Sequence, residues 1–347
     1  MYIKKILLAV VLIGLVIAGI FSYYIYNTVF SANTVFEEDT VYIYVPSDRS
    51  YATVRNQMRE LVTDMESFDI VAQKKGYISN VKPGRYLLKK GMNNNAIINA
   101  LRSNNRPLQI SFNNQETLSK LAERISVQIE ADSGSLLKAM LDEDFLSEND
   151  FNEDTALGMY IPNTYEFYWN SSSETFRSRM LTEYQNFWNE SRKAKAEALN
   201  LSPKQVMSLA AIVQKETARV DERPRVAGVY LNRLRVGMLL QADPTVIYAV
   251  KKQTGDFDTV IKRVLYKDLE TDSPYNTYKY SGVPPGPIAM PDISSIDAVL
   301  NPEEHNYFYF VANVEKPGYH LFAKNLAQHN RNRQQYIQWI NNQGVRR

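Results

Sequence analysis

From Ile6 to Tyr26 the chain runs ILLAVVLIGLVIAGIFSYYIY, with no charged position. At about 1.5 Å per residue, a helix of this length crosses the ~30 Å of bilayer hydrocarbon. Lys4 and Lys5 precede it, and Tyr23, Tyr24 and Tyr26 fall where an aromatic belt forms at the far interface. A cleaved signal peptide competes with this reading, but Ala18-Gly19-Ile20 is a poor small-x-small site and the apolar run exceeds a signal core. The pattern predicts a retained single-pass anchor with its N-terminus in the cytoplasm and residues 30 to 347 outside. No later stretch is apolar enough to return.

Beyond a short polar linker, Ser31 to Thr40, the period changes. Val41-Tyr42-Ile43-Tyr44-Val45 is β-branched and aromatic and predicts a strand, Pro46-Ser47-Asp48 a turn, and Ala52 to Val62 an amphipathic helix. A related series follows: Leu108-Gln109-Ile110-Ser111-Phe112, polar Asn113-Asn114-Gln115, then a helix from about Leu118. Ile43 matches Ile110, Val45 matches Phe112 and Val54 matches Leu121 at one constant offset; chance similarity of common strand–helix patterns is the alternative. Between them, Pro83 to Leu88 and Gly91 to Ile98 give another strand, turn and helix. Small α+β modules suit such units. Residues 114 to 150 read as helical and acidic. From about Ser202 the chain becomes dense in rigid turns bearing polar side chains, where sites are usually built.

Composition narrows the chemistry. The net charge is +2, and Lys4 and Lys5 are the only charges before residue 31, so the body is neutral. That argues against a nucleic-acid partner, which needs a basic face. With no cysteine, thiolate catalysis and disulfides are excluded. His305, His320 and His329 are the only histidines, and none has the i, i+4 spacing of a helical zinc signature. Neither a metal nor a cofactor is expected.

Ser202-Pro203 predicts a helix start, serine as N-cap and proline in the first turn. At about 100° per residue, Val206, Leu209, Val213 and Val220 fall on one apolar arc with Ile212 on its flank, and Lys204, Ala211 and Lys215 lie opposite. Glu216 falls between Leu209 and Ile212, in a sector otherwise apolar. Burial there raises a carboxyl pKa, as a general acid at neutral pH requires. The competing reading is a carboxylate at the helix edge paired with Arg219 or Arg223.

The surrounding motifs bear on that choice. Ala210 to Thr217 read AAIVQKET, followed by Glu222-Arg223, Val226 to Leu234 (VAGVYLNRL), and Gly237-Met238. Next come Gln241 to Tyr248 (QADPTVIY), Tyr275-Asn276-Thr277-Tyr278, Gly282 to Ile288 (GVPPGPI), then His320, Asn325 and His329. This series resembles the YceG-like family, the MltG-type endolytic murein transglycosylases of bacteria, over nearly the whole chain. The resemblance implies an α+β protein: an anchor in residues 1–30, a linker at 31–40, a membrane-proximal LysM-like α+β region at 41–107, and a mixed α/β YceG-like catalytic domain at 108–347. It implies cleavage of the β-1,4 bond between N-acetylmuramic acid and N-acetylglucosamine in nascent peptidoglycan strands. The glutamate of the family's I-x-x-K-E-T motif, here Glu216, is then the catalytic acid/base. Penicillin-binding proteins, the wall synthases, are implied as partners. One motif departs: where many members carry Glu-Gly and Pro-Asp-Thr-Tyr, this chain has Leu157-Gly158 and Pro162-Asn163-Thr164-Tyr165, so carboxylates there are not expected to be essential.

Ordinary glycosidases use two carboxylates. A lytic transglycosylase needs one, because the sugar's own C6 hydroxyl attacks C1. Asp243 is the candidate second carboxylate; its bland alternative is N-cap of a helix beginning at Pro244. Asn232, Gln241, Thr245, Tyr275, Asn276 and Tyr278, placed inside the motif blocks, are candidate glycan-binding residues, though among 23 tyrosines any one is as easily packing. His320 and His329 join them as wall residues, each with a structural role as its alternative. A muramidase using Glu216 and Asp243, and a non-catalytic wall-binding scaffold, remain open at this point.

Overall fold

A computed structural model describes residues 2–342. The chain divides into two compact units, one built on residues 1–110 with 128–131 and 165–172, the other on 111–127, 132–164 and 173–347.

In the first unit, α1 (Tyr2–Phe30) is apolar on every side from Ile6 to Phe21, and its residues up to Tyr26 are exposed. Its most apolar window has a mean hydropathy of 2.7, so nothing in the protein supplies the solvent this helix needs. There follow β1 (Thr40–Val45), α2 (Tyr51–Met58), α3 (Met65–Lys74), β2 (Gly84–Lys89), α4 (Asn94–Ser103) and β3 (Leu108–Phe112). β1 and β2 pair antiparallel with Ile43 opposite Tyr86 and Val45 opposite Gly84. Period-2 alternation sends Ile43, Val45, Tyr86 and Leu88 into a core with Val54, Met58, Phe68, Ile97 and Leu101. Tyr42 and Tyr44 stay exposed on the other face. Ser50, Asp64 and Asn93 each accept the N3 amide of the helix they start.

Residues 31–40 do not behave as a linker. The buried Asn33 side-chain amide donates to Asn94 Oδ1 (2.7 Å) and to the Asp64 carbonyl (2.8 Å). Asn94 in turn donates to the Thr28 carbonyl at the end of α1 (2.8 Å) and to Ser67 Oγ (2.9 Å). The segment reads as polar because its polar atoms serve a buried network; such groups are tolerated only when bonded.

The second unit holds α5 (Leu118–Ser126), α6 (Ser133–Met140), α7 (Glu143–Glu148), β4 (Asn163–Phe167), α8 (Ser173–Phe187), α9 (Glu190–Ala198) and α10 (Pro203–Glu216). After these come α11 (Arg223–Arg235), α12 (Asp243–Thr254), α13 (Tyr266–Leu269), α14 (Ile293–Leu300), β5 (Tyr309–Ala312), β6 (His320–Ala323) and α15 (Leu326–Asn342). β3 and β4 form one two-stranded sheet; β5 and β6 form another. At the centre, α10 packs against α14, α11, α12 and α9. All of residues 206 to 213 on it are buried. The predicted one-sided wheel therefore fails at Ala211, which is fully buried, because neighbours enclose the helix all round. It fails also at Val220, since the helix ends at Glu216 and Val220 lies exposed in a short 3₁₀ turn.

The turn at Gly286 shows why the Pro-rich block must be glycine there. A Cβ on Gly286 would lie 1.8 Å from the Asp154 carbonyl oxygen, which is backbone and cannot swing aside. Gly286→Ala is expected to cost about 3 kcal/mol by overpacking. An unchanged urea midpoint would contradict that contact.

Candidate active site

The capping box of α10 fixes where its other end falls. Ser202 Oγ accepts the Gln205 amide while the Gln205 side chain accepts the Ser202 amide, with Pro203 in the first turn. Glu216 is the last helical residue, and Thr217 turns away in extended conformation. Glu216 is half-buried and lines a cavity of about 400 Å³. Its Oε1 accepts a hydrogen bond from the Tyr230 hydroxyl at 2.9 Å, and it pairs with neither Arg219 nor Arg223. Arg223 instead donates to Ser294 Oγ at 2.7 Å and faces Asp292. Burial pushes the Glu216 carboxyl up to about 7; the negative charge of Asp243 adds to the rise, while the Tyr230 bond and the Arg233 charge oppose it. At neutral pH a large fraction of Glu216 is therefore protonated.

Around it stand Tyr230 and Arg233 from α11, Gln241 and Asp243 before and at the start of α12, and Tyr278. Tyr309 and Phe310 of β5 and one face of α15 complete the walls. Asp243 Oδ1 accepts the Tyr278 hydroxyl at 2.6 Å. The N-cap expectation for Asp243 is not met: α12 begins at Asp243 itself and no side chain caps it. Gln241 holds a positive φ of 47°, and its amide donates to the Thr277 carbonyl at 3.1 Å.

The remaining sequence candidates support this cavity without lining it. Thr245, fully buried, donates to the Ala242 carbonyl (2.7 Å) and meets Thr277 Oγ1 (2.8 Å), pinning the Gln241–Asp243 turn to the Tyr278 loop. Asn276, also fully buried, spends its amide on the Leu269 and Thr271 carbonyls, and its Oδ1 accepts the Tyr278 amide at 3.0 Å. Tyr275 is buried and donates to Asp154 Oδ1 at 3.0 Å. Asn232 is buried and donates to the His305 and Tyr307 carbonyls, on the approach to β5. His320 meets buried Glu222 through Nδ1 and its backbone amide, both at 2.7 Å. Glu222 also accepts from Thr217 Oγ1 at 3.1 Å, so this contact ties β6 to the end of α10. Asn232, Thr245, Tyr275, Asn276 and His320 therefore do not line this cavity, and the hydrogen bonds above hold the turns and strands around it. Leu157 is buried and Asn163 exposed; neither lines the cavity.

Sequence reasoning missed Tyr230, Arg233, Tyr309, Phe310, Asn330 and Arg333. Tyr230 and Arg233 are three apart on α11, a one-face spacing that is a readable signal once a helix is assumed. Among the described residues, no three His, Asp or Glu side chains converge as a metal would need.

A half-buried, protonatable glutamate held by a tyrosine in a cavity lined by polar side chains is the arrangement sought in a candidate general-acid site. The profile of the YceG-like family matches residues 43–335, and the chain belongs to that family. It is 32% identical over 316 residues to the endolytic murein transglycosylase of Bacillus subtilis (strain 168), covering 86% of this chain and 85% of that protein. The endolytic murein transglycosylase of Streptococcus pneumoniae R6 is 27% identical over 301 residues, and there the match spans only 53% of the relative. The crystal structure of a YceG-like protein from Listeria monocytogenes superposes with a TM-score of 0.57 at 28% identity, covering 84% of this chain and 98% of that one.

Proposed function

We propose that this protein is a membrane-anchored lytic transglycosylase. It cuts the β-1,4 bond between N-acetylmuramic acid and N-acetylglucosamine inside nascent peptidoglycan strands and leaves 1,6-anhydro ends. The observation that carries the reading is Glu216, protonatable near neutrality in the lining of the cavity, with Tyr230 as its hydrogen-bond donor. Protonated Glu216 gives its proton to the glycosidic oxygen as the C1–O4 bond breaks. The resulting carboxylate then takes the proton of the C6 hydroxyl as O6 closes on C1. Proton and bond counts balance with one carboxyl and no water. The names of the relatives support the same chemistry. The uncharged run of α1 from Ile6 to Tyr26, behind Lys4 and Lys5, supports an anchor whose N-terminus is cytoplasmic, with the catalytic unit on the far side. The compact β1–α2–α3–β2 arrangement is the part to which the LysM-like expectation applies, and wall synthases are the proposed protein partners.

Asp243 lines the same cavity, which favours a water-using muramidase as the second reading. Full-length protein in detergent, incubated with uncrosslinked glycan and analysed by mass spectrometry, separates the readings. Anhydro ends are expected. Products one water heavier would favour the muramidase, and binding without any cleavage would favour a scaffold.

A further inference from the structure

α15 presents Leu326, His329, Asn330 and Arg333 to the cavity, the i, i+3, i+4, i+7 spacing of one helix face. With Arg233 from α11 they place three basic side chains in its lining. Arg233 is only 7% exposed. It donates through Nε to the Phe308 carbonyl (2.7 Å) and through Nη1 to the Leu240 carbonyl (2.6 Å), and it has no carboxylate in ion-pair contact among the described residues. Buried charges are as a rule paired. His329 stacks on Tyr309 with ring centroids 5.2 Å apart, and its Nδ1 is buried without a hydrogen-bond partner. Burial first, then the charges of Arg233 and Arg333, holds its pKa below the usual value, so both guanidiniums lie close to this ring. Arg333, exposed at the rim, has no ion pair among the described residues.

No carboxylate among the described residues makes an ion pair with Arg233 or Arg333. Glu216, pushed up to about 7, is only about half ionised near neutrality, and Asp243 accepts the Tyr278 hydroxyl. We infer that Arg233, His329 and Arg333 form a carboxylate subsite that holds the acidic substituent of the muramyl sugar cleaved at Glu216. This rests on the glycan reading above. In such a strand the glucosamine unit is neutral, and every carboxylate hangs from the lactyl ether of the muramyl unit, either as its own free acid or on the peptide stem built upon it. A planar carboxylate matches the guanidinium fork of Arg333 and the free donor capacity beside His329. Seating it there selects which of the two sugars presents its C1 to Glu216, so the subsite orients the strand as well as binding it.

The test compares three glycans: with intact stems, with stems removed to leave lactyl acids, and with those acids converted to neutral methylamides. For the wild type, kcat/KM on the charged forms should exceed that on the methylamide about tenfold, the effect of one charge-assisted contact. In Arg333→Gln the ratio should fall toward one, while Arg331→Gln, an exposed position that does not line the cavity, keeps it. A preference for bare lactyl acids identifies the lactyl carboxylate as the occupant; a preference only for intact stems identifies a stem carboxylate. Equal use of all three by the wild type, or an undiminished ratio in Arg333→Gln, overturns the subsite. Titration of N-acetylmuramic acid and of the muramyl stem peptide against their methylamides reads the same preference without turnover. Charge-selective binding lost in Arg333→Gln would support the subsite even were no strand cut. Absence of any selectivity there overturns it, whereas failure to cut any glycan counts against the transglycosylase reading alone.

Discussion

Glu216→Gln should lose strand cleavage by at least about 10²- to 10⁴-fold while the protein stays folded and becomes more stable above neutral pH. The amide keeps the size of the side chain and can still accept the Tyr230 hydroxyl, but it can neither deliver a proton nor take one back. The stability effect has a definite sign. Burial raises the Glu216 carboxyl from 4.5 to about 7 on folding, so the folded chain holds this proton more tightly than the unfolded one. The contribution is full below about pH 4.5 and is lost as pH rises through about 7, where folding must bury a charge. A shift of this size corresponds to at most about 3 kcal/mol, and to less here because the carboxyl opens onto the cavity. Wild type and variant should therefore melt together at pH 4.5, and the variant should melt higher at pH 8. Turnover near the wild-type rate, or a variant less stable at every pH, would remove Glu216 from the proposed role.

How much of this was legible in the sequence varies with the range of the interactions. β1 and β2 were readable because one face of each is buried, so alternation at Ile43 and Val45 survives in the residue pattern. Glu216 stands out because, at about 100° per residue, its carboxylate falls between Leu209 and Ile212 in a sector otherwise apolar. The end of its helix was not readable. Glu216-Thr217-Ala218-Arg219 contains neither glycine nor proline, so nothing local announces the C-cap, and the wheel was carried on to Val220. Asp243 before Pro244 carries the local signature of an N-cap, yet a bond from Tyr278, thirty-five positions away, holds its carboxylate instead. Asn33 looked solvated because polarity does not reveal whether a partner such as Asn94 waits inside. The cavity's last wall was least visible. Asn330 and Arg333 are polar residues on a polar helix, and only the β5–β6 hairpin behind them brings that face to Glu216.

Tyr230→Phe is expected to slow cleavage about 10²-fold and to move the alkaline limb of the pH profile upward. Tyr230 is buried, and its hydroxyl donates to Glu216 Oε1 at 2.9 Å. That bond favours the ionised carboxyl and opposes the rise caused by burial. Removing the hydroxyl leaves burial and the Asp243 charge less opposed, so Glu216 keeps its proton to higher pH. The donor is also the group that stabilises the carboxylate as it forms, when the proton passes to the glycosidic oxygen. Loss of one such oriented donor costs about 10²- to 10³-fold elsewhere, and a hydrogen bond to a charged group accounts for about 1.5–3 kcal/mol. The ring itself should stay put, because its edge contact with Phe310 at 5.9 Å does not involve the hydroxyl. The variant therefore separates two properties that Glu216→Gln removes together: it keeps a carboxyl that can give and take a proton, and destabilises only its ionised form. Rate against pH on a single glycan reads both effects. A slower enzyme whose alkaline limb lies at the wild-type pH, or below it, would show that Tyr230 acts through packing and not through the Glu216 proton.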